Sequence, residues 1–408
     1  MTVTVLRGGD VLDVHTGNVL GGHDVVIDGA RIVELARDAR VPAGAEQIDV
    51  RGKTVLPGLI DCHVHVLASR ANLGINAQQP NVLTALRAVP ILSAMLARGF
   101  TTVRDAGGAD WSLAQAVEQG VVVGPRIVPS GKALSQTGGH GDFRPRGDVL
   151  EPCSCCFRAG AIARIVDGVD AVRLAVREEI QKGAQQIKIM ASGGVASPTD
   201  PIVNTQYSRA EIEAIVEEAE AANTYVMAHA YTPRAIKRVV EAGVRTIEHG
   251  NLVDEEAAQV MARHGAFAVP TLITYEALAR HGAEYGLPPE SVAKIETVRE
   301  QGRASLGIYA RAGVEMGYGS DLLGEMHRFQ SDEFRIRAQM LGALQAIQSA
   351  TSVAARILRR EGELGVVAPG ALADLVVLQG NPLDDIDVLC DDGAKVVDVW
   401  QNGQRVAR

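Results

Sequence analysis

The amino-acid sequence predicts an α/β protein in which a (β/α)8 TIM barrel is joined to a small, discontinuous β-sandwich domain formed by both termini. Between residues 58 and 365, short β-rich runs alternate with amphipathic stretches, and this alternation is typical of a parallel sheet. A segment of about 300 residues is the usual size of such a barrel with insertions. Residues 1–57 and 366–408 instead contain short β-runs separated by turn residues. The pattern alone also allows an open, doubly wound sheet in place of the barrel.

The terminal segments are predicted to be all-β. Strands are expected at residues 3–6, 25–27, 32–35 and 47–50, with turns at Gly8-Gly9 and Gly21-Gly22. Near the C-terminus, strands are expected at residues 365–367, 373–378 and 396–400, followed by a turn at Asn402-Gly403. Neither segment is large enough to bury a core alone, so we expect the two to pack together as one domain.

The central segment supplies the barrel elements. Strands are predicted at residues 101–105, 186–190, 225–229 and 246–249, and helices at residues 82–98, 169–182 and 209–222. Ser208 followed by Glu211 has the spacing of a capping box, which marks the start of the third of these helices.

Composition excludes several classes of function. The chain has 408 residues, of which 47% are hydrophobic and 22% charged, with a formal net charge of −9. The apolar fraction is too high for a disordered chain, and the acidic balance disfavours nucleic acid or an anionic membrane as a partner. The apolar runs are shorter than the roughly 18 residues of a membrane span, and the N-terminus lacks a secretory pattern. We therefore expect a cytoplasmic protein.

The five cysteines are too few for a disulfide framework in a chain of this length. Cys153, Cys155 and Cys156 form a cluster, but no fourth cysteine or histidine follows at the spacing of a zinc finger or ribbon. A loop of free thiols is the favoured interpretation.

Two histidines at the end of an apolar run indicate a metal site. His63 and His65 close the segment Pro57-Gly-Leu-Ile-Asp-Cys-His-Val-His65. In a β-strand, this spacing points both imidazoles to one face, where they can share a metal ion. Two packed histidines also produce the pattern by chance, so the pair alone does not decide.

Three further side chains stand at the predicted C-terminal ends of strands. These are His229, His249 and, after the run 316–321, Asp321. In a barrel, such strand ends converge on one face, where active sites are built. Four histidines and an aspartate at one mouth form a ligand set suited to zinc or a similar divalent ion. Five others have no strand-end placement and are expected to be surface or packing residues, namely His15, His23, His264, His281 and His327.

Lys188 lies within the predicted strand 186–190, on the face opposite its two isoleucine neighbours. In a closed barrel that face is the interior or its rim. Burial favours the neutral amine, which can add carbon dioxide to form a carbamate. A carbamate is anionic and has two oxygens, so it can bridge two cations. A lysine that reaches solvent from a strand end is the alternative.

The combined motifs resemble the amidohydrolase superfamily, and within it the imidazolonepropionase-related, prolidase-like dipeptidases that cleave Xaa-Pro or Xaa-Arg. The resemblance covers essentially the whole chain. The shared motifs are Pro57 to His65, Gly99-Phe-Thr-Thr-Val-Arg-Asp-Ala-Gly-Gly108, Ser135-Gln-Thr-Gly-Gly-His140, Lys188-Ile-Met-Ala-Ser-Gly-Gly194, His229-Ala-Tyr-Thr-Pro233, Ile247-Glu-His-Gly-Asn251 and Asp321.

The resemblance implies a centre of two divalent metal ions, zinc being the expected metal. It assigns His63, His65 and Asp321 to one metal ion, His229 and His249 to the other, and N6-carboxylated Lys188 to both. A hydroxide that bridges the metals is the implied nucleophile, because bound cations lower the pKa of water. Asp321 is the implied proton carrier. Family members are commonly homo-oligomers, so we expect one here.

The resemblance also implies contacts with a small-molecule substrate. His140, in a glycine-flanked loop, matches the histidine that polarises the scissile carbonyl. Tyr231 matches the residue that contacts the substrate's α-carboxylate. Arg328, in the loop after Asp321, is a second candidate for that carboxylate.

Three functions remain open on the sequence. The first is amide hydrolysis of dipeptides or N-acyl amino acids, most of all Xaa-Pro. The second is hydrolysis of a non-peptide amide, urea or carbamate, such as a xenobiotic or a mycotoxin with an amide-linked phenylalanine. The third is a barrel that has lost its chemistry, although retention of every ligand position disfavours this. A deaminase is also disfavoured, because mononuclear deaminases of the superfamily generally lack the bridging lysine.

Overall fold

The structure is a computed structural model that describes residues 3–144, 158–197, 200–286 and 289–406. Its strands are β1 (Thr4–Leu12), β2 (Val19–Asp28), β3 (Arg31–Ala36), β4 (Glu46–Asp49), β5 (Thr54–Pro57), β6 (Leu59–Val64), β7 (Phe100–Asp105), β8 (Arg126–Val128), β9 (Ala133–Ser135), β10 (Ala163–Ile165), β11 (Ile187–Met190), β12 (Val226–Ala230), β13 (Thr246–His249), β14 (Phe267–Val269), β15 (Leu375–Leu378), β16 (Val396–Gln401) and β17 (Gln404–Arg405). Cys153, Cys155 and Cys156 lie outside the described residues.

The helices fall mainly between the strands of the central segment. They are α1 (Leu73–Ala77), α2 (Asn81–Ala97), α3 (Trp111–Glu118), α4 (Val169–Gln181), α5 (Arg209–Ala221), α6 (Pro233–Val240), α7 (Glu255–Arg263), α8 (Leu272–His281), α9 (Pro289–Ala312), α10 (Glu333–Leu341), α11 (Ala343–Ser349) and α12 (Ser352–Ile357). Short 3-10 helices span Gly324–Asp332, Ile386–Leu389 and Asp391–Gly393. Within the described residues, no helix is both long enough and apolar enough to cross a membrane.

Strands from both ends of the chain share one sheet. Its order is β17-β16-β15-β5-β1-β2-β3, with β4 paired to β1. The junction between the two ends is the antiparallel pair β15 and β5, in which Leu375 lies opposite Pro57. This sheet confirms the small β domain that was predicted from both termini.

The central strands pair only in parallel within the described sheets. One sheet has the order β6-β7-β8 and the other β10-β9-β11-β12-β13-β14. Backbone hydrogen bonds continue around the ring, because Gly317 N donates to Ala268 O and Cys62 N donates to Tyr318 O. The segment 315–321 thereby lies between β14 and β6. On the other side, Gln185 N donates to Pro129 O beside the pairing of β9 with β11. The arrangement is the expected (β/α)8 barrel.

Two segments that were predicted to be strands do not form strands in the structure. The run 316–321 makes one isolated bridge, between Met316 and Ala268, although Gly317 and Tyr318 hydrogen-bond to the strands on either side. Its two glycines pack tightly. A Cβ at Gly317 would lie 2.4 Å from a side-chain carbon of Ile357, and a Cβ at Gly319 would lie 2.6 Å from Val269. The run 365–367 is a turn, since Gly365 has a φ of +72° beside the backbone of Thr351.

Other boundaries are close to prediction. Helices α2, α4 and α5 each match the expected range to within one residue at either end. The predicted capping box is present, since Ser208 Oγ accepts from Glu211 N and Glu211 Oε2 accepts from Ser208 N. The two glycine pairs expected to be turns lie inside β1 and β2 instead. Gly8 has a φ of +68° and sits at a register shift, so the pair forms a bulge within β1.

The barrel strands are buried on both faces, as parallel strands usually are. On β11, Ile187 and Ile189 join an apolar cluster that includes Ile212 and Ile215 of α5. Lys188 alternates with these isoleucines and is only 1% exposed. The strand therefore carries its amine on the side away from the helices.

Candidate metal centre

The first part of the site joins the end of β6 to the segment before the Gly324 turn. Asp321 Oδ1 lies 3.4 Å from His63 Nε2 and 3.3 Å from His65 Nε2. The backbone fixes this approach, because Asp321 N donates to His63 O at 2.9 Å. Asp61 also accepts from His63 N and from Ser320 Oγ, so one buried carboxylate holds both segments.

His249, at the end of β13, completes a compact donor group. One ligand atom from each of His63, His249 and Asp321 lies within 4.8 Å of the others, an arrangement that can hold a metal ion. His249 has a φ of +69° and Asp321 a φ of +50°. The left-handed region is unfavourable for residues other than glycine, and such outliers concentrate at functional sites. The fold thus stores strain in two candidate ligands.

His229, at the end of β12, faces His249, with the ring centroids 4.6 Å apart. Its Nε2 lies 3.2 Å from Gly193 O, which leaves Nδ1 as the nitrogen available to a metal ion. Burial lowers the pKa of both His229 and His249 well below the ordinary value. Both imidazoles are therefore neutral, which is the form that binds metals.

Lys188 lies among these groups rather than in solvent. Burial lowers the pKa of Lys188 to about 8, although the charges of Glu248 and Asp321 favour the ammonium form. About a tenth of the amine is then unprotonated at pH 7, far more than at an ordinary lysine. An unprotonated, buried amine is the form that the predicted carbamate requires.

Partners behind the histidines set which nitrogen faces the site. His63 Nδ1 lies 2.7 Å from Glu248 Oε2, His65 Nδ1 lies 2.9 Å from Gly107 O, and His249 Nδ1 lies 2.8 Å from Thr271 Oγ1. Each contact leaves the Nε2 of that histidine for another ligand. Such supporting groups fix the tautomer and orientation of metal-binding histidines.

Glu248 and Arg104 form a buried ion pair that the sequence reasoning missed. Arg104 Nη2 lies 2.9 Å from Glu248 Oε1, and both side chains are 0% exposed. Burial raises the pKa of Glu248, but Arg104 and His63 outweigh it and lower that pKa to about 2. The available signal was a charged residue inside each of two strands predicted to be buried. Nothing in the sequence indicated that the two would meet.

His140 lies against the centre. Its ring stacks on that of His229, with centroids 4.2 Å apart, and a Cβ at Gly194 would meet the imidazole at 2.3 Å. Burial, with the charge of Lys188 second, lowers the pKa of His140 to about 3. The neutral ring carries one N–H. Its Nδ1 is buried and has no hydrogen-bond partner in the described part of the chain.

The two predicted carboxylate-binding residues differ in location. Tyr231 is buried, and its ring stacks on His249 with the centroids 5.4 Å apart. Arg328 is exposed on the 3-10 helix after Asp321, and its guanidinium lies over the ring of Phe329. The structure therefore brings Tyr231, but not Arg328, into contact with the histidine cluster.

The donor set fits a divalent-metal centre. Neutral imidazoles, a carboxylate and a buried amine converge, and nitrogen with oxygen ligands suits zinc and similar ions. His63 Nε2 is buried and makes no hydrogen bond within the described residues, although Asp321 Oδ1 lies 3.4 Å away, and such an atom suits a metal ligand. Although burial raises the pKa of Asp321, His63, His65 and His249 lower it well below the usual range. The carboxylate is thus ionised.

The family model described as Amidohydrolase family matches residues 54–406. The chain belongs to this family of hydrolases, whose members act on small-molecule substrates.

Individual relatives refine the comparison. A crystal structure of a prolidase complexed with N-methylphosphonate-L-proline is 73% identical, covers 100% of both chains and has a TM-score of 0.98. A Xaa-Pro dipeptidase structure with bound methionine is 32% identical over 99% of this chain and 100% of that one, with a TM-score of 0.88. An ochratoxinase from Aspergillus niger is 33% identical over 423 residues, which cover 98% of this chain and 86% of the relative.

Proposed function

We propose that the protein is a binuclear metal-dependent hydrolase that cleaves the amide bond of Xaa-Pro-like dipeptides and N-acyl amino acids. The observation that carries the proposal is the convergence of His63, His249 and Asp321 beside buried Lys188. The similarity to a prolidase that binds a proline phosphonate supports the choice of substrate.

In this proposal, His63, His65 and Asp321 would hold one metal ion, His229 and His249 would hold the other, and Lys188 would serve both once it is carboxylated. When bound, two divalent ions would make water a better nucleophile near neutral pH and would polarise the scissile carbonyl. Zinc is the proposed metal because imidazole and carboxylate donors suit it.

Asp321 is placed to move the proton. Its carboxylate is ionised, so it can accept a proton from the attacking water and pass it to the nitrogen of the departing amine. The hydrogen bond from Asp321 N to His63 O fixes the backbone that carries this carboxylate during the transfer. The C–N bond then breaks, the protonated nitrogen leaves as a neutral amine, and the acyl carbon keeps the oxygen of water as part of a carboxylate.

His140 and Tyr231 would hold the substrate. A neutral His140 offers one N–H donor to the carbonyl oxygen as negative charge develops on it. The hydroxyl of Tyr231 would donate to the α-carboxylate of the substrate. Arg328 stays a second candidate for that role, which would require its exposed side chain to turn towards the site.

Hydrolysis of a non-peptide amide is the second candidate, and the similarity to ochratoxinase favours it. The polarised carbonyl and activated water serve both chemistries. The loop after Lys188 is one place where the two functions would differ, since Asp200, Asn204 and Gln206 border a polar cavity of about 300 Å³.

A substrate screen on metal-replete protein tests the proposal. The panel contains Xaa-Pro and Xaa-Arg dipeptides, N-acyl amino acids, aryl ureas, and an amide-linked phenylalanine conjugate. We expect the highest kcat/KM with substrates that end in L-proline, and a loss of that activity in Tyr231→Phe. Turnover only of substrates without a carboxylate, unimpaired in Tyr231→Phe, would favour the second candidate. If no substrate in the panel is hydrolysed and less than about one metal ion is bound per chain, the result would support a non-catalytic barrel.

The remaining parts of the proposal are separate from the chemistry. We propose a homo-oligomer and a cytoplasmic location. Light scattering coupled to size-exclusion chromatography tests the first, and fractionation of source cells tests the second.

A further inference from the structure

A second tyrosine lies directly behind Tyr231. The hydroxyl oxygens of Tyr231 and Tyr275 are 2.6 Å apart, which is the distance of a strong O–H···O hydrogen bond. Tyr275 belongs to α8 and is 1% exposed, so its hydroxyl cannot exchange this partner for bulk water. Neither the sequence motifs nor the proposed chemistry gives Tyr275 a role.

Proton counting sets the direction of the hydrogen bonds. A histidine that binds a metal ion through Nε2 carries its proton on Nδ1, so His249 donates to Thr271 Oγ1. Thr271 then has one proton left. Tyr275 lies one helical turn further along α8; burial raises the pKa of Tyr275, whereas the Thr271 hydroxyl acts to lower it, as a group that donates to its oxygen would. If Thr271 donates to Tyr275, the single proton of Tyr275 is free to bond Tyr231 Oη.

The consequence falls on Tyr231. Its oxygen accepts from Tyr275, and its own O–H is then left for a ligand. In the opposite direction, Tyr231 would spend its proton on Tyr275 and present only lone pairs, which repel a carboxylate. His229 and His249 meet Tyr231 through their rings and give its hydroxyl no hydrogen-bond partner. The backbone N–H of Val195 acts on the same oxygen as a donor, so it does not take up the proton of Tyr231.

We propose that Tyr275 is a positioning residue that makes Tyr231 an obligatory donor, and so restricts good substrates to those with a free α-carboxylate. The series of hydroxyl and imidazole groups that sets this direction runs from His249 through Thr271 and Tyr275 to Tyr231. This inference rests on the proposed function, since it concerns the carboxylate end of the same substrate. It assigns the choice between a carboxylate and a carboxamide to a buried hydroxyl that never touches the substrate.

The test measures two matched ligands and two matched substrates. Calorimetry gives the dissociation constants of L-proline and L-prolinamide, and turnover is measured with N-acetyl-L-proline and N-acetyl-L-prolinamide. The variants are Tyr275→Phe, Tyr231→Phe, the double variant, and Tyr285→Phe as a control for the loss of a hydroxyl elsewhere. Metal content is measured for every variant.

In Tyr275→Phe we expect L-proline binding to weaken and the KM for N-acetyl-L-proline to rise, each by about tenfold, a change of about 1.4 kcal/mol. The kcat value, the metal content and the values for both carboxamides should stay within about twofold of the parent. The double variant should match Tyr231→Phe, because Tyr275 acts through Tyr231.

Equal losses for carboxylate and carboxamide would overturn the inference, since they indicate a structural role for Tyr275. Additive effects of the two substitutions would also overturn it. If the parent protein binds L-proline and Tyr275→Phe binds it equally well, the inference is overturned but the proposed function is not. Parent protein that binds neither ligand overturns it together with the proposed substrate class.

Discussion

The terminal sheet and the barrel mouth both bury charged side chains, but they give them different surroundings. In the terminal sheet, Asp24 is 3% exposed and accepts hydrogen bonds from Gly8 N, Ala39 N and Arg7 Nη1. At the barrel mouth, His63 Nε2 and His140 Nδ1 are buried and make no hydrogen bond within the described residues. Buried polar atoms are normally satisfied, and an exception calls for an explanation. The buried carboxylate of the terminal sheet is satisfied within the sheet, whereas the mouth leaves imidazole nitrogens for ligands.

The most severe test of this contrast is Lys188→Ala. If Lys188 carries the proposed carbamate, the variant should lose at least about 10,000-fold in kcat. This loss corresponds to an increase of about 5 kcal/mol or more in the activation free energy. Bound metal should also fall, as measured by elemental analysis. A short carboxylic acid should restore part of both. Lys237→Ala, which removes a surface lysine paired with Glu256, should change neither. Full activity in Lys188→Ala would contradict the bridging role.

Substitution of Glu248 tests whether the mouth also depends on buried charge for its stability. Glu248→Gln leaves Arg104 buried without its counter-ion, and breaking such a pair costs about 3–5 kcal/mol of unfolding free energy. Asp24→Asn in the terminal sheet should cost only about 1–2 kcal/mol, because Arg7 can turn to solvent. Urea unfolding of both variants measures the difference. Equal losses would mean that the two regions hold buried charge in the same way.

Substitution of His140 separates chemistry from stability. His140→Ala removes the proposed donor to the carbonyl oxygen, so kcat should fall by about 100-fold to 1000-fold. Metal content and unfolding free energy should change little, because His140 Nδ1 makes no hydrogen bond within the described residues. His264→Ala, an exposed control, should be indistinguishable from the parent. A large loss of stability with modest loss of kcat would assign His140 to packing instead.

His327 predicts a smaller, pH-dependent effect. Burial lowers the pKa of His327 to about 4. Between that value and the ordinary pKa of about 6.5, the unfolded chain binds a proton that the folded chain does not, so stability falls as the pH is lowered. From pH 7 to pH 5 this group should account for about 2 kcal/mol of lost unfolding free energy.

His327→Gln should remove that part of the pH dependence. Urea unfolding at the two pH values, with His264→Gln as the exposed control, measures it. An unchanged slope in His327→Gln would show that His327 does not stay neutral in the folded protein. The prediction concerns stability and not catalysis. The ring of His327 is a packed group whose Nε2 lies 3.2 Å from Ala68 O, and it has no part in the proposed chemistry.

Local pattern accounted for much of the fold. The helix that starts at Ser208 was predictable because its capping box is made by residues three apart. The run 316–321 was predicted as a strand from its position, yet it makes only one isolated bridge within the described residues. Gly8-Gly9 was predicted to be a turn, but it forms a bulge within β1. A glycine pair permits both conformations, and only the strand that pairs with it decides between them.

The sequence by itself determined the candidate ligands, because strand alternation and strand-end position are local properties of the chain. His63, His65, His229, His249, Asp321 and Lys188 could all be named in this way. Only the tertiary structure decided which groups stand behind them. His63 meets Glu248 across 185 residues, and Tyr231 meets Tyr275 across 44. Such contacts depend on how strands and helices are brought together around the barrel, and no local spacing records them.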